Sequence, residues 1–269
     1  MKYLSILIVF IFSPSNFETK NEFTQNQNIK TTSSISKQLK PLKLEKTEVI
    51  YNYYNEEFDH SSFSTLLKKY VSTQGKVDYN GLKSQNKLLR NYIKSLSSNT
   101  PKEKWNDSNK LAYWINAYNA LTIDLIIRNY PLKSIKDLKD PWDQKLWKFG
   151  DKWLNLNDIE HQILRKMNEP RIHFAIVCAS ESCPKLQNTA FTASNLEEQL
   201  TNATKGFLSD TSKNEISKNN IKLSKIFKWF KKDFERNGSI IDFLNQYSDI
   251  EISNKAKKSF KDYNWDLNE

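Results

Sequence analysis

Glycine is scarce in this chain, five in 269 residues, and no G-x-G-x-x-G or Walker-type stretch occurs. That excludes the Gly-rich loops that cradle dinucleotides and triphosphates, so no cofactor of that kind is expected. Histidine is scarcer still, at three, and there are only two cysteines. Cys178 and Cys183, spaced C-x-x-x-x-C with scattered histidines, lack the usual ligand spacing of a zinc site, and no metal is expected. Arginine is nearly absent from the basic set: of 41 Lys and Arg, only Arg90, Arg128, Arg165, Arg171 and Arg236 are arginines. Specific readers of nucleic acid lean on arginine for bidentate contacts. The excess of ten positive charges therefore reads as a solvated lysine-rich surface, with no specific nucleic-acid partner.

Aromatics, by contrast, are plentiful, with 15 Phe, 12 Tyr and 7 Trp, enough for a sizeable core. The N-terminus, MKYLSILIVFIFSPSN, has a lysine, an apolar run of about ten residues and then small polar residues. This is the form of a secretory signal peptide and is too short for the roughly 20 residues of a spanning helix. We read residues 1–18 as a signal peptide, which implies an exported, periplasmic or extracellular protein with no transmembrane span after signal removal. Residues 19–55, rich in Asn, Thr, Ser and Lys, read as a linker that cannot bury enough surface to offset its ordering entropy. Residues 56–269 read as one domain, without internal repeat or Pro- or Gly-rich break.

Helical patterns dominate that domain. SSFSTLLKKYVS and LKSQNKLLRNYIKSL carry apolar residues at three- and four-residue spacing. SNKLAYWINAYNALTIDLIIRNYP predicts a long helix, capped by Asp107 or Ser108 and ended by Pro131. NDIEHQILRKM predicts another, with Asn157 and Glu160 as its start. SNLEEQLTNATKGFL predicts a third, with a capping box of Ser194 and Glu197. SKIFKWFKKDF and SIIDFLNQY predict two more. QKLWKFGDKWLNL reads as a hairpin turning at Gly150-Asp151, EISKNNIKL as a second hairpin, and the continuous apolar run RIHFAIVC as a doubly covered strand. The expectation is an α+β fold, a predominantly helical single domain with a small β-sheet.

Candidate chemistry gathers in three segments. On the long helix, Asn116 and Asn119 fall on the apolar face, where they either tie down loop backbone or line a pocket and donate to an oxyanion; Asp124 and Arg128 read as its wet side. Glu160, His161 and Arg165 follow on the next helix, with the last two nearly opposite its core face. Then come His173, Cys178 and Cys183. As a strand, RIHFAIVC points His173 and Cys178 to opposite faces, so a partner for Cys178 is sought in His161 or His60. Five residues apart in an exported protein, the two cysteines can also form a disulfide, contributing about 2 kcal/mol by chain entropy.

Six blocks, GKVDYNGL, LAYWINAYNALTIDLII, LNDIEHQILR, HFAIVCASESCPKL, SKIFKWFKKDF and YNWDLN, occur in an order that resembles the domain of unknown function 547 family over residues 75–268. The resemblance implies kinship with secreted bacterial proteins and with plant proteins, and no established reaction. It places Asn116, Asn119, Glu160, His161, Arg165 and His173 at motif positions. It also favours Cys178 over Cys183 as the functional thiol, since the plant relatives carry Ser-Pro where this chain has Cys183-Pro184. Two readings follow. One is a binding or scaffold domain with a Cys178–Cys183 bridge and a ligand or partner that the sequence leaves unknown. Asn119, Glu160 and Arg165 are its binding candidates. The other is a thiol-dependent hydrolase or transferase, with Cys178 as nucleophile, His161 or His173 as base and Asn116 or Asn119 as orienting amide.

Overall fold

The computed structural model describes residues 57–269; the expected signal peptide and linker lie outside the described residues. The central element is α4, Asp107–Asn129, preceded by α1 (Ser61–Tyr70), α2 (Tyr79–Ser84) and α3 (Asn86–Ser98). Every residue of α4 from Leu111 to Ile127 is buried except Trp114, because α4 is packed on by α2, α3 and the segments that follow it. A helix so enclosed reads as apolar nearly all round. Its cap is Asn106, whose side chain accepts from the Asn109 N–H, in place of the predicted Asp107 or Ser108. It ends as expected before Pro131, with Tyr130 in the extended conformation that a following proline favours.

Asp124 corrects the wet-side reading. It is fully buried and accepts from Arg128 Nε at 2.7 Å and Trp147 Nε1 at 2.8 Å, with Arg90 Nε at 3.6 Å. The charge is paired within the fold rather than solvated.

Strands β1 (Trp147–Phe149) and β2 (Lys152–Leu154) form the expected antiparallel hairpin, with Gly150 at φ 57° in its turn. A second sheet joins β3 (Glu215–Ile216), β4 (Asn220–Leu223) and β5 (Lys257–Phe260), with β3–β4 antiparallel and β4–β5 parallel. Between the sheets lies α5, Leu196–Ser209, and after β4 come α6 (Lys225–Trp229), α7 (Lys231–Phe234) and α8 (Ile240–Asn245). The fold is α+β and mostly helical, with two small sheets. No helix among the described residues is long and apolar enough to cross a membrane.

Three local expectations change. Residues 158–163 form a π-helical turn continued by a 3₁₀ turn over 164–167. Its start is fixed by Asn155 and Asp158, which accept each other's backbone N–H, not by Asn157 and Glu160. Nor do Ser194 and Glu197 box the start of α5: Asn195 stands at the cap without a side-chain bond, and Glu197 pairs with Arg171 at 2.6 Å. RIHFAIVC is no strand. Residues 170–174 form a 3₁₀ helix opened by Pro170, and the Ala175 and Ile176 N–H groups both bond to the Ile172 carbonyl. The run is apolar because it threads between two cores. Ile172, Ala175, Ile176 and Val177 enter the cluster around α4, whereas Phe174 enters a second cluster with Phe207, Phe227 and Phe234. A short apolar run carries no period to tell these cases apart.

Candidate functional site

At the seam of the two clusters lies a cavity of about 260 Å³. Tyr118 and Cys183 reach it from the first cluster, Ile226 and Phe230 from the second, and it is also lined by Glu160, His161, His173 and Cys178. Losing the strand removes the alternation that separated His173 from Cys178. Both line this one cavity.

The buried amides explain how that segment is held. Asn119 donates to the Ala175 carbonyl at 2.9 Å and accepts from the Val177 N–H at 2.9 Å. Asn116 does the same for Phe191, donating to its carbonyl at 2.7 Å and accepting from its N–H at 2.9 Å. Each amide therefore satisfies both ends on loop backbone. Neither lines the cavity, so Asn116 and Asn119 position the backbone around it rather than facing a ligand. His60 lies elsewhere, buried against Phe58 and bonded to the Tyr92 hydroxyl at 2.6 Å; burial lowers its pKa to about 4.

Glu160 and His161 come from the π-helical turn, whose wider winding turns both toward the cavity. Tyr118 donates to Glu160 Oε2 at 3.1 Å. Burial pushes the Glu160 carboxyl up to about 7, against the pull of Tyr118 and Arg165. Arg165 Nη1 donates to His161 Nδ1 at 3.1 Å, which fixes that imidazole as the Nε2–H tautomer. Burial and the Arg165 charge both hold the His161 pKa down. Arg165 does not line the cavity; it is spent on Asp233, bidentately, at 2.6 and 3.0 Å.

Asp233, on α7, is shared. His173 Nε2 donates to its Oδ2 at 2.8 Å, and the imidazole stacks on Phe230 with centroids 3.9 Å apart. Burial opposes ionisation of Asp233, yet the bonds from His173 and Arg165 hold its pKa well below the usual carboxylate range. Burial lowers the His173 pKa despite that carboxylate, so His173 is neutral with its proton on Nε2.

Cys178 and Cys183 are joined in a disulfide. Cys178 is half-buried and Cys183 buried. The C-terminal segment delivers the next partner, because Ser180 pairs with Leu267, and the Glu181 N–H bonds the Asp266 carbonyl. Tyr263 thereby sets its hydroxyl 3.2 Å from each sulfur, and Ser180 Oγ lies 3.3 Å from Cys178 Sγ and 3.2 Å from Cys183 Sγ. The mouth is aromatic: Trp142, Trp229, Tyr263 and Trp265 pack edge and face on one another with centroids 4.5–5.8 Å apart.

The structure thus gathers Cys178, His161, His173 and Glu160, and leaves Asn116, Asn119 and Arg165 as supports. Sequence reasoning missed Tyr118, Trp142, Trp229, Asp233, Tyr263 and Trp265. Their only signal was the blocks LAYWINAYNALTIDLII, SKIFKWFKKDF and YNWDLN, which hold all of them but Trp142. Together these groups offer an aromatic box, one carboxyl that ionises near neutrality, two neutral imidazoles and a disulfide.

No curated protein and no solved structure matches the chain. Residues 102–208, which supply Glu160, His161, His173, both cysteines and the two clamping asparagines, match the family model described as protein of unknown function, DUF547, and over that stretch the chain resembles that family.

Proposed function

We propose that the chain is a binding domain whose cavity takes a small organic cation. The observation that carries this reading is the buried Glu160 carboxyl lining a cavity walled by aromatic rings, where burial pushes its pKa up to about 7. Ring faces attract cations through their quadrupole, most strongly when water is excluded. The rings already do so toward the protein's own charges: Lys136 Nζ sits 4.3 Å from the Trp265 centroid and the Arg165 guanidinium 5.3 Å from that of Phe230. The remaining polar groups add no competing positive charge, since His161 and His173 are neutral and Arg165 is neutralised by Asp233. A bound cation keeps Glu160 ionised, which repays the desolvation that otherwise favours its acid form. The Cys178–Cys183 bridge supports export to an oxidising compartment and holds one wall of the cavity.

Tryptophan emission tests the reading, because Trp142, Trp229 and Trp265 all line the cavity. Titration with tetramethylammonium is expected to change emission saturably. Trp229 is 46% exposed, so Trp229→Ala removes a wall ring from the surface rather than from the core and is expected to weaken binding by about threefold or more. Emission that does not saturate contradicts the reading.

A second reading, a thiol hydrolase or transferase with Cys178 as nucleophile, draws on the His173–Asp233 pair beside the same cavity. With Nε2–H spent on Asp233, Nδ1 is the nitrogen left to take a thiol proton. It requires the bridge to be opened first. A thiol-directed electrophile that labels Cys178 no faster than a free cysteine in the reduced protein contradicts it.

A further inference from the structure

We infer that the Cys178–Cys183 bridge is a site of thiol–disulfide exchange, attacked at Cys178 with Cys183 as the leaving sulfur. The inference shares the cavity with the cation site but does not rest on it, since it needs only that a small thiol reach the bridge.

Two asymmetries carry it. Both cysteines line the cavity, but Cys178 is half-buried whereas Cys183 is only 4% exposed. The backbone N–H of Cys178 also donates to Cys183 Sγ at 3.0 Å, a fixed donor that the other sulfur lacks. The Tyr263 hydroxyl, 3.2 Å from each sulfur and itself accepting from Ser180 Oγ at 3.1 Å, is free to turn its proton to Cys183 Sγ as charge develops there. Burial raises the Tyr263 pKa, so that phenol keeps the proton it donates. The fixed N–H, joined by the Tyr263 hydroxyl, stabilises negative charge on Cys183 Sγ, and the sulfur that better bears the charge is the one that leaves.

The backbone is built to present this pair. Asn119 clamps the chain at Ala175 and Val177, just before Cys178. Ala179, at φ 58°, bends it in the left-handed region so that Cys183 returns over the Cys178 N–H.

The step balances with one co-reactant, an organic thiol. Its thiolate attacks Cys178 Sγ, a new S–S bond forms between them, the Cys178–Cys183 bond breaks, and Cys183 departs as thiolate facing the Cys178 N–H and the Tyr263 hydroxyl. Attack by a second thiol on the mixed disulfide releases the oxidised organic disulfide and leaves both cysteines reduced. Two electrons pass from the two thiols to the bridge.

The test exposes the full oxidised chain to glutathione, quenches with acid, alkylates free thiols and maps both cysteines by mass spectrometry. Glutathione is expected on Cys178 and the alkyl group on Cys183. Tyr263→Phe is expected to slow capture about tenfold, with unchanged circular dichroism. Should that variant misfold, Cys178→Ser isolates the leaving group. Its remaining thiol is expected to titrate below the ordinary value of about 8.5. Glutathione on Cys183, no capture by the folded protein, or a Cys183 thiol at or above its ordinary pKa overturns the inference.

Discussion

Arg165 and His173 meet on a single carboxylate: Asp233 Oδ2 accepts from Arg165 Nε at 2.6 Å and from His173 Nε2 at 2.8 Å. One anion on α7 thus fixes a tautomer on the 170–174 turn and, through Arg165, the Nε2–H tautomer of His161. Removing it leaves a guanidinium and a buried imidazole without their acceptor. Asp233→Ala is therefore expected to destabilise the protein by about 3 kcal/mol, read from denaturant unfolding at neutral pH. Asp233→Asn keeps an acceptor for one donor and is expected to lose less.

The clamp at Asn119 gives a second expectation. Asn119→Ala leaves the Ala175 carbonyl and the Val177 N–H unpaired in a buried setting, at a cost of roughly 2–4 kcal/mol. It also frees the segment that sets the Cys178 N–H on Cys183 Sγ, so capture of glutathione by the bridge is expected to slow. Asn116→Ala loses the equivalent bonds to Phe191, with a similar stability loss and no change in capture rate. Urea midpoints together with exchange rates separate the two variants.

Glu160 gives stability a dependence on pH with a definite sign. Its folded pKa, about 7, lies above the ordinary value of 4.5, so the native state binds more protons than the unfolded state across that window. The contribution is fully present below 4.5 and is lost as pH rises through about 7, with a size on the order of 3 kcal/mol. Glu160→Gln is expected to abolish that loss. The difference between the unfolding free energies of variant and parent, measured across this range, checks it, because the other titrating groups cancel.

Much of the frame could be read from the residues. The α4 pattern, the Pro131 stop and the Gly150 turn are local devices whose cause lies within a few residues of their effect. The inward Asn116 and Asn119 followed from the helical period alone. The turn at 170–178 was illegible because its apolar run answers to two cores at once, one for Ile172 and one for Phe174. Asp124 misled because a charge on a helix is usually solvated, and its partners Arg90 and Trp147 lie far along the chain. The cavity walls were hidden for the same reason. Trp142, Trp229 and Trp265 sit in different segments, and nothing in their spacing says that they meet. Asp233, among the lysines of KKDF, looks like an exposed helix charge until the fold brings Arg165 and His173 to it.

The central claim is that the Glu160 carboxylate, framed by aromatic rings, holds a cation. Its most direct test is calorimetric titration of tetramethylammonium into the protein at about pH 6 and about pH 8, either side of the Glu160 pKa. The account predicts affinity about tenfold higher at the upper pH, following the ionised fraction, with Glu160→Gln binding weakly and equally at both. Equal affinity of the parent protein at the two values, or a pH dependence that survives Glu160→Gln, would contradict it.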